Sequence, residues 1–294
     1  VDIEISRDTE IERLKTAQLK VAYDKIEEQK DELVDSIRYA ERIQTALLTR
    51  EQEQELLQNY FVLFEPKDIV SGDFYWYYEK GDYFYAAVAD CTGHGVPGAF
   101  LTMLGTTFLN EILALNDSPS PALILERLRQ RMITALKGGS SKDGMDISIL
   151  RINPNSGLGE WAGAYNPIWV IRKSDAPGMR NSNFTTARSS EEFTLYEIKA
   201  NKFPIGSVEH MGEFTNHEIQ LHRGDSVYLF SDGFADQFGG PQGKKYLSGR
   251  FKDTLLELES QPILERQKLL KERFDSWKNG RDQVDDVCVF GIRF

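Results

Sequence analysis

Four short segments set an aspartate beside glycine, serine or a second aspartate, at or just beyond the end of an apolar run. They are Gly72-Asp73, Ala89-Asp90-Cys91-Thr92-Gly93-His94-Gly95, Phe230-Ser231-Asp232-Gly233 and Asp285-Asp286-Val287. Strand ends are rigid, and glycine lets backbone come close to a ligand, so such segments can hold carboxylates at fixed positions. Carboxylates held near one another repel and need protons or cations to neutralise them. Hard divalent cations such as Mg2+ and Mn2+ prefer an all-oxygen surrounding. A pair of them about 3.5–4 Å apart can activate one water for attack on phosphorus. Each segment alone is a weak signal, because Asp-Gly is most often only a turn. The weight lies in their combination and order.

Other reactive residues are read against simpler roles. His94 is a candidate general acid or a turn residue of the Gly93-His94-Gly95 loop. His210, His217 and His222 share no metal-ligand spacing and read as surface residues. A nucleophilic role for Cys91 would need a base and an anion-binding loop, and neither is visible. Ser231-Asp232-Gly233 is not a Gly-x-Ser-x-Gly elbow, which argues against serine hydrolase chemistry. Asp146 could add a carboxylate or simply sit on a strand edge. Asp286 reads as a further ligand or a polar neighbour of Asp285. Lys244, Lys245 and Arg281 could attract phosphate, but none is identified as a clamp.

The elements that must position these residues follow from periodicity. Residues 6–58 contain no glycine or proline and are rich in helix formers. Leu19, Ile26, Leu33, Ala40 and Leu47 recur every seven residues with an imperfect partner row, which predicts a helical linker over 1–58 that pairs as a coiled coil. Strands are expected at 61–64 and 83–90, with the Phe74-Tyr75-Trp76-Tyr77-Tyr78 run alternating between core and surface. Helices are expected at 99–115 and 121–137, then strands at 145–152, 158–165 and 167–173 and a polar loop at 174–192. Further strands are expected at 193–199, 214–221, 226–231 and 287–292, with helices at 251–260 and 262–278. Strand runs broken by helix pairs indicate an α+β layered domain over 59–294.

Composition narrows the function. The 294 residues carry a net charge of −11, from 46 acidic against 35 basic. That sign repels phosphate backbones, so nucleic acid is not an expected partner and a metal-dependent nuclease is disfavoured. The two cysteines, Cys91 and Cys288, fit a reducing, cytoplasmic compartment. No membrane-spanning run or signal peptide is read in the chain. Its start at Val1 suggests a fragment of a longer protein, which a membrane anchor could hold.

Taken in order, Val70-Ser71-Gly72-Asp73-Phe74-Tyr75-Trp76, Ala89 through Ala99, Phe230-Ser231-Asp232-Gly233-Phe234 and Asp285-Asp286 resemble the motifs of the metal-dependent serine/threonine phosphatases, type 2C, in their bacterial SpoIIE/RsbU branch. Ile43-Gln44-Thr45-Ala46-Leu47-Leu48 resembles the helix that precedes that domain, so the likeness covers roughly 40–294. The resemblance implies an antiparallel β-sandwich flanked by helices. It implies two Mn2+ or Mg2+ ions, with Asp90 bridging both and the Cys91 carbonyl helping to hold one. Asp232 and Asp285 would hold the other, and Asp73 would act directly or through water. Asp90 and Asp232 are therefore the expected catalytic positions, acting on phosphoserine or phosphothreonine without a phosphoenzyme. Ala164-Tyr165-Asn166-Pro167 lacks the acidic residue that holds a third metal in eukaryotic members. The implied partner is a phosphorylated regulator such as an anti-sigma-factor antagonist, with a homodimer formed through the N-terminal helix. The competing expectation is a non-catalytic scaffold that recruits partners through its coiled coil.

Overall fold

The computed structural model describes residues 2–48, 59–137, 143–179, 183–206 and 212–294. Absence of glycine and proline lets one helix, α1, run unbroken over Asp2–Leu48. Val1–Ile43 form one compact unit, and Gln44–Phe294 form a second. In the first unit Leu19, Ile26 and Leu33 of the heptad row are 69, 64 and 60% exposed. The remainder of the expected helical segment, 49–58, lies outside the described residues, as does His210.

The second unit begins with β1 (Tyr60–Glu65), β2 (Asp73–Lys80), β3 (Tyr83–Cys91), α2 (Gly95–Leu115) and α3 (Pro121–Ala135). Next come β4 (Gly144–Ile152), β5 (Leu158–Ala164), β6 (Ile168–Lys173), β7 (Thr185–Ser189), β8 (Phe193–Ile198), β9 (Ile205–Gly206), β10 (His217–Gln220) and β11 (Ser226–Phe230). It ends with α4 (Gly233–Asp236), β12 (Phe238–Gly239), β13 (Lys244–Lys245), α5 (Ser248–Leu258), α6 (Ile263–Lys278) and β14 (Val287–Arg293).

Two large antiparallel sheets result, with β12 and β13 paired apart from them as a two-stranded ribbon. The first has the order β1-β14-β11-β6-β8-β7, and the second β10-β5-β4-β3-β2 with β9 joined to β4. One apolar core lies between the sheets and includes Phe84, Val88, Leu150, Val170, Leu229 and Phe290. A second core joins the outer face of the second sheet to α2 and α3. A third joins the first sheet to α5 and α6. This is the expected α+β sandwich flanked by helices. On α2 the buried face includes Leu101, Leu109, Ile112 and Leu113, each contributing about 1.5–3 kcal/mol by leaving water.

Three features depart from the sequence reading. Strand β7 lies inside the segment expected to be loop; it is an edge strand whose residues are mostly exposed, so no apolar alternation marks it. The two-residue strands β9, β12 and β13 are too short to carry a period. Helix α2 has the length and apolar content of a membrane-spanning helix, contrary to the expectation that no such stretch exists, and half of that window is buried inside the domain.

Candidate active site

Antiparallel register sets three aspartates in one row across the second sheet. Asp73 on β2 pairs with Asp90 on β3, and Asp90 pairs with Asp146 on β4. Residues directly opposite in a ladder share a face. Val88, two positions before Asp90, belongs to the core between the sheets, so the row points into the end of that space. The first sheet supplies the opposing groups. Asp232 follows β11, and Asp285 and Asp286 precede β14. Ser231 N–H donates to the Cys288 carbonyl at 2.9 Å, which extends the β11–β14 ladder up to these residues.

Neighbouring backbone fixes the pocket's floor. Asp286 is buried and accepts the N–H of Gly72 at 2.7 Å and of Lys67 at 2.8 Å, so its carboxylate staples the β1–β2 loop to the first sheet. The Ser231 hydroxyl donates to Asp73 and accepts the Cys288 N–H at 3.0 Å, which ties Asp73 to the opposite sheet. Any side chain on Gly72 would strike the Gly93 carbonyl, so glycine is needed there for the loops to interlock. The last turn of α1, which belongs to the same unit, adds Gln44. Its Oε1 accepts the Ser71 N–H at 3.0 Å, and its Nε2 donates to the Ser71 carbonyl at 2.7 Å and the Thr102 hydroxyl at 2.8 Å.

Among the described residues no ion pair involves any of these six aspartates. Burial, then the charge of Asp90, holds the Asp73 carboxyl well above the ordinary value. Burial and then Asp232 push Asp90 up to about 8 and Asp146 up to about 7. Asp232 is raised by burial, then by Asp236 and Asp285, and the nearby Lys245 partly offsets this. Among the described residues no group of three or more side chains already converges as a closed metal cage. The donor set nonetheless fits hard cations, since every facing group is a carboxylate oxygen whose repulsion a divalent charge would relieve.

The structure thus brings together Asp73, Asp90, Asp232 and Asp285, and adds Asp146 and Asp286. The Cys91 side chain turns into the helix-facing core, where burial pushes its thiol well above the usual range and keeps it protonated. His94 stands in the loop after β3, its Nδ1 at 2.8 Å from Asp68 Oδ2, with both side chains about half exposed. His217 lies at the far end of the second sheet, beside Tyr83, Arg151 and Glu160 in a cavity of about 670 Å³. Lys245 pairs with Asp236 at 2.7 Å. The positioning contacts of Ser231, Gln44 and Asp68 have no signal in the sequence, because their partners lie 158, 27 and 26 residues away.

The SpoIIE family model, Stage II sporulation protein E, matches residues 80–294. The SiaA PP2C domain of Pseudomonas aeruginosa is 30% identical, with 90% of this chain and 98% of that one covered and a TM-score of 0.76. The phosphatase domain and regulatory fragment of SpoIIE from Bacillus subtilis superposes at 19% identity and a TM-score of 0.59, covering 80% of this chain and 63% of that one. The RsbU and RsbW domains of Rv1364c from Mycobacterium tuberculosis do so at 18% identity and 0.58, covering 81% and 60%. No curated protein matches the sequence.

Proposed function

On the premise that this chain belongs to the SpoIIE family of PP2C-type phosphatase domains, we propose that it hydrolyses phosphoserine or phosphothreonine on a bacterial regulatory protein. The observation that carries this reading is the set of unpaired carboxylates facing one another from two sheets at one end of the sandwich. A purely structural domain would gain by pairing or replacing such groups, since buried like charges are costly.

Asp90 and Asp232 would hold two divalent cations, Mn2+ or Mg2+, with Asp73, Asp285 and the Cys91 carbonyl completing the ligands. When bound, the cations would supply the positive charge that acidifies a water and neutralises the phosphoryl oxygens. The chain's own part is positional. Ser231 and Asp286 lock the strand ends, so the carboxylates need no rearrangement when the substrate arrives.

Control by the N-terminal helix is supported by Gln44. Its amide joins the end of α1 to Ser71, two residues before Asp73, and to Thr102 on the helix that follows Asp90. The exposed Leu19, Ile26 and Leu33 stripe supports a homodimer formed through the segment 1–58. An antagonist of an anti-sigma factor is the substrate class this reading favours, in the cytoplasm. The test is Mn2+-dependent hydrolysis of an aryl phosphate by the wild type and by Asp90→Asn, with metal counted per chain. Equal rates for the two proteins would return the domain to the scaffold reading.

A further inference from the structure

Strand β5 ends at Ala164 in one sheet and β6 begins at Ile168 in the other, so Tyr165, Asn166 and Pro167 carry the chain across the end of the sandwich. The strands on either side of this turn both neighbour the strands that carry the carboxylates. Ile147 pairs with Ala164, so the chain leaves β5 at Tyr165 beside Asp146, the last aspartate of the row formed with Asp73 and Asp90. On the other side of the turn, β6 pairs with β11, the strand that Asp232 follows. Tyr165 therefore stands at the lateral rim of the carboxylate pocket, between the contributions of the two sheets.

Its backbone is strained. Tyr165 has φ 56°, in the left-handed region that bulky residues avoid. The Asn166 N–H donates to the Ala164 carbonyl at 2.6 Å, closing a three-residue turn around it. The turn is over-determined from outside. Tyr165 N–H donates to the Asn201 carbonyl at 2.9 Å, and Asn201 N–H donates to the Gly163 carbonyl at 3.0 Å. This conformation holds the aromatic ring half in solvent, 50% exposed, rather than in the core. On the same turn Asn166 is buried, and its Nδ2 has no hydrogen-bond partner among the described residues. Strain fixed by surrounding hydrogen bonds beside a reactive pocket is a mark of positioning.

We infer that Tyr165 is a specificity-determining residue, whose ring packs against the polypeptide flanking the phosphorylated side chain of a protein substrate. This rests on the phosphatase reading and deepens it. The pocket's carboxylates deal with the phosphate, which every phosphomonoester shares; a rigid aromatic at the rim can distinguish a polypeptide from a small ester. A tyrosine supplies large apolar contact at little cost in conformational freedom.

The experiment uses the whole chain with Mn2+ and two probes, p-nitrophenyl phosphate and a degenerate pool of phosphoserine peptides, each read by released product. Tyr165→Asn removes the ring while keeping a residue that tolerates left-handed backbone, and Tyr165→Phe keeps the ring. Tyr165→Asn is expected to lower kcat/KM for the peptides by about tenfold, mainly through KM, and to leave the aryl phosphate within about twofold. Tyr165→Phe is expected to match the wild type on both probes. Peptide rates untouched by Tyr165→Asn, or falling in parallel with the aryl phosphate, overturn the inference and leave the phosphatase reading standing. Wild-type protein that cleaves the aryl phosphate but not the peptides also overturns it. Wild-type protein inactive on both probes removes the phosphatase reading, and the inference with it.

Discussion

Two regions of the domain gather carboxylates, and they treat them in opposite ways. On the first sheet, under α5 and α6, Glu259 is 1% exposed and accepts from Ser226 Oγ at 2.6 Å, Tyr228 at 3.1 Å, Arg266 at 2.8 Å and Arg293. Close by in sequence to Ser226, Asp225 takes a two-point contact from Arg172, at 2.9 and 2.6 Å. At the end of the sandwich, Asp73, Asp90, Asp146 and Asp232 face one another with no arginine or lysine paired to them among the described residues. The first region shows that this chain can supply arginines wherever a buried charge has only to be stabilised. Their absence from the second leaves its negative charge available to cations that arrive from outside.

The comparison breaks most decisively at Asp90. Replacing it by Asn should reduce Mn2+-dependent turnover by about a thousandfold or more, because a group that would bridge both cations is lost. The same variant, free of metal, should melt no lower than the wild type, since one repelling charge is gone. A large loss of metal-free stability would show that Asp90 is a structural group like Glu259. The mirror experiment is Arg266→Met, which leaves Glu259 with Arg293 as its remaining cation and should cost about 3 kcal/mol in urea unfolding. Turnover per folded molecule should be unchanged, because that network lies outside the pocket.

The pH dependence of the metal-free protein sharpens the contrast. Folding raises Asp90 from 3.8 to about 8 and Asp146 to about 7, so the native state holds these protons more tightly than the unfolded chain. Native stability should therefore be greatest on the acid side of this window and fall as pH rises from about 4 to about 8. Saturating Mn2+ should flatten that decline, because bound cations take over the role of the protons. Scanning calorimetry at pH 5 and pH 8, with and without Mn2+, measures both effects. A melting temperature equally flat in the two series would mean that the carboxylates do not sense one another.

Much of this site was legible before any coordinates. Gly72-Asp73, Ala89-Asp90 and Ser231-Asp232-Gly233 carry local signals, an apolar strand followed by turn residues, and the fold places them together. Asp146 carries no such signal, since it lies near the start of β4, and only its register against Asp90 brings it into the row. For Asp286 the sequence leaves open a further ligand or a polar neighbour of Asp285, and its buried carboxylate binds the backbone of Gly72 and Lys67, as a neighbour would. Contacts between residues far apart in sequence leave no periodic trace. Strand β7 went unread for a related reason, because an exposed edge needs no apolar residues.

Gln44 lies between the two kinds of region, a buried but neutral group that touches the strand leading to Asp73. Truncating it to Ala leaves the Ser71 N–H and carbonyl and the Thr102 hydroxyl short of a partner, at a cost of about 1–3 kcal/mol. That is no larger than the loss expected at Arg266, because no buried ion pair is broken. The informative readout is metal affinity. If the end of α1 helps to hold the Asp73 strand against its repelling neighbours, Gln44→Ala should raise the Mn2+ concentration needed for half-maximal turnover beyond what the stability loss alone explains. An unchanged Mn2+ requirement would confine Gln44 to packing, and the acidic pocket would then be set by the two sheets without help from the helix.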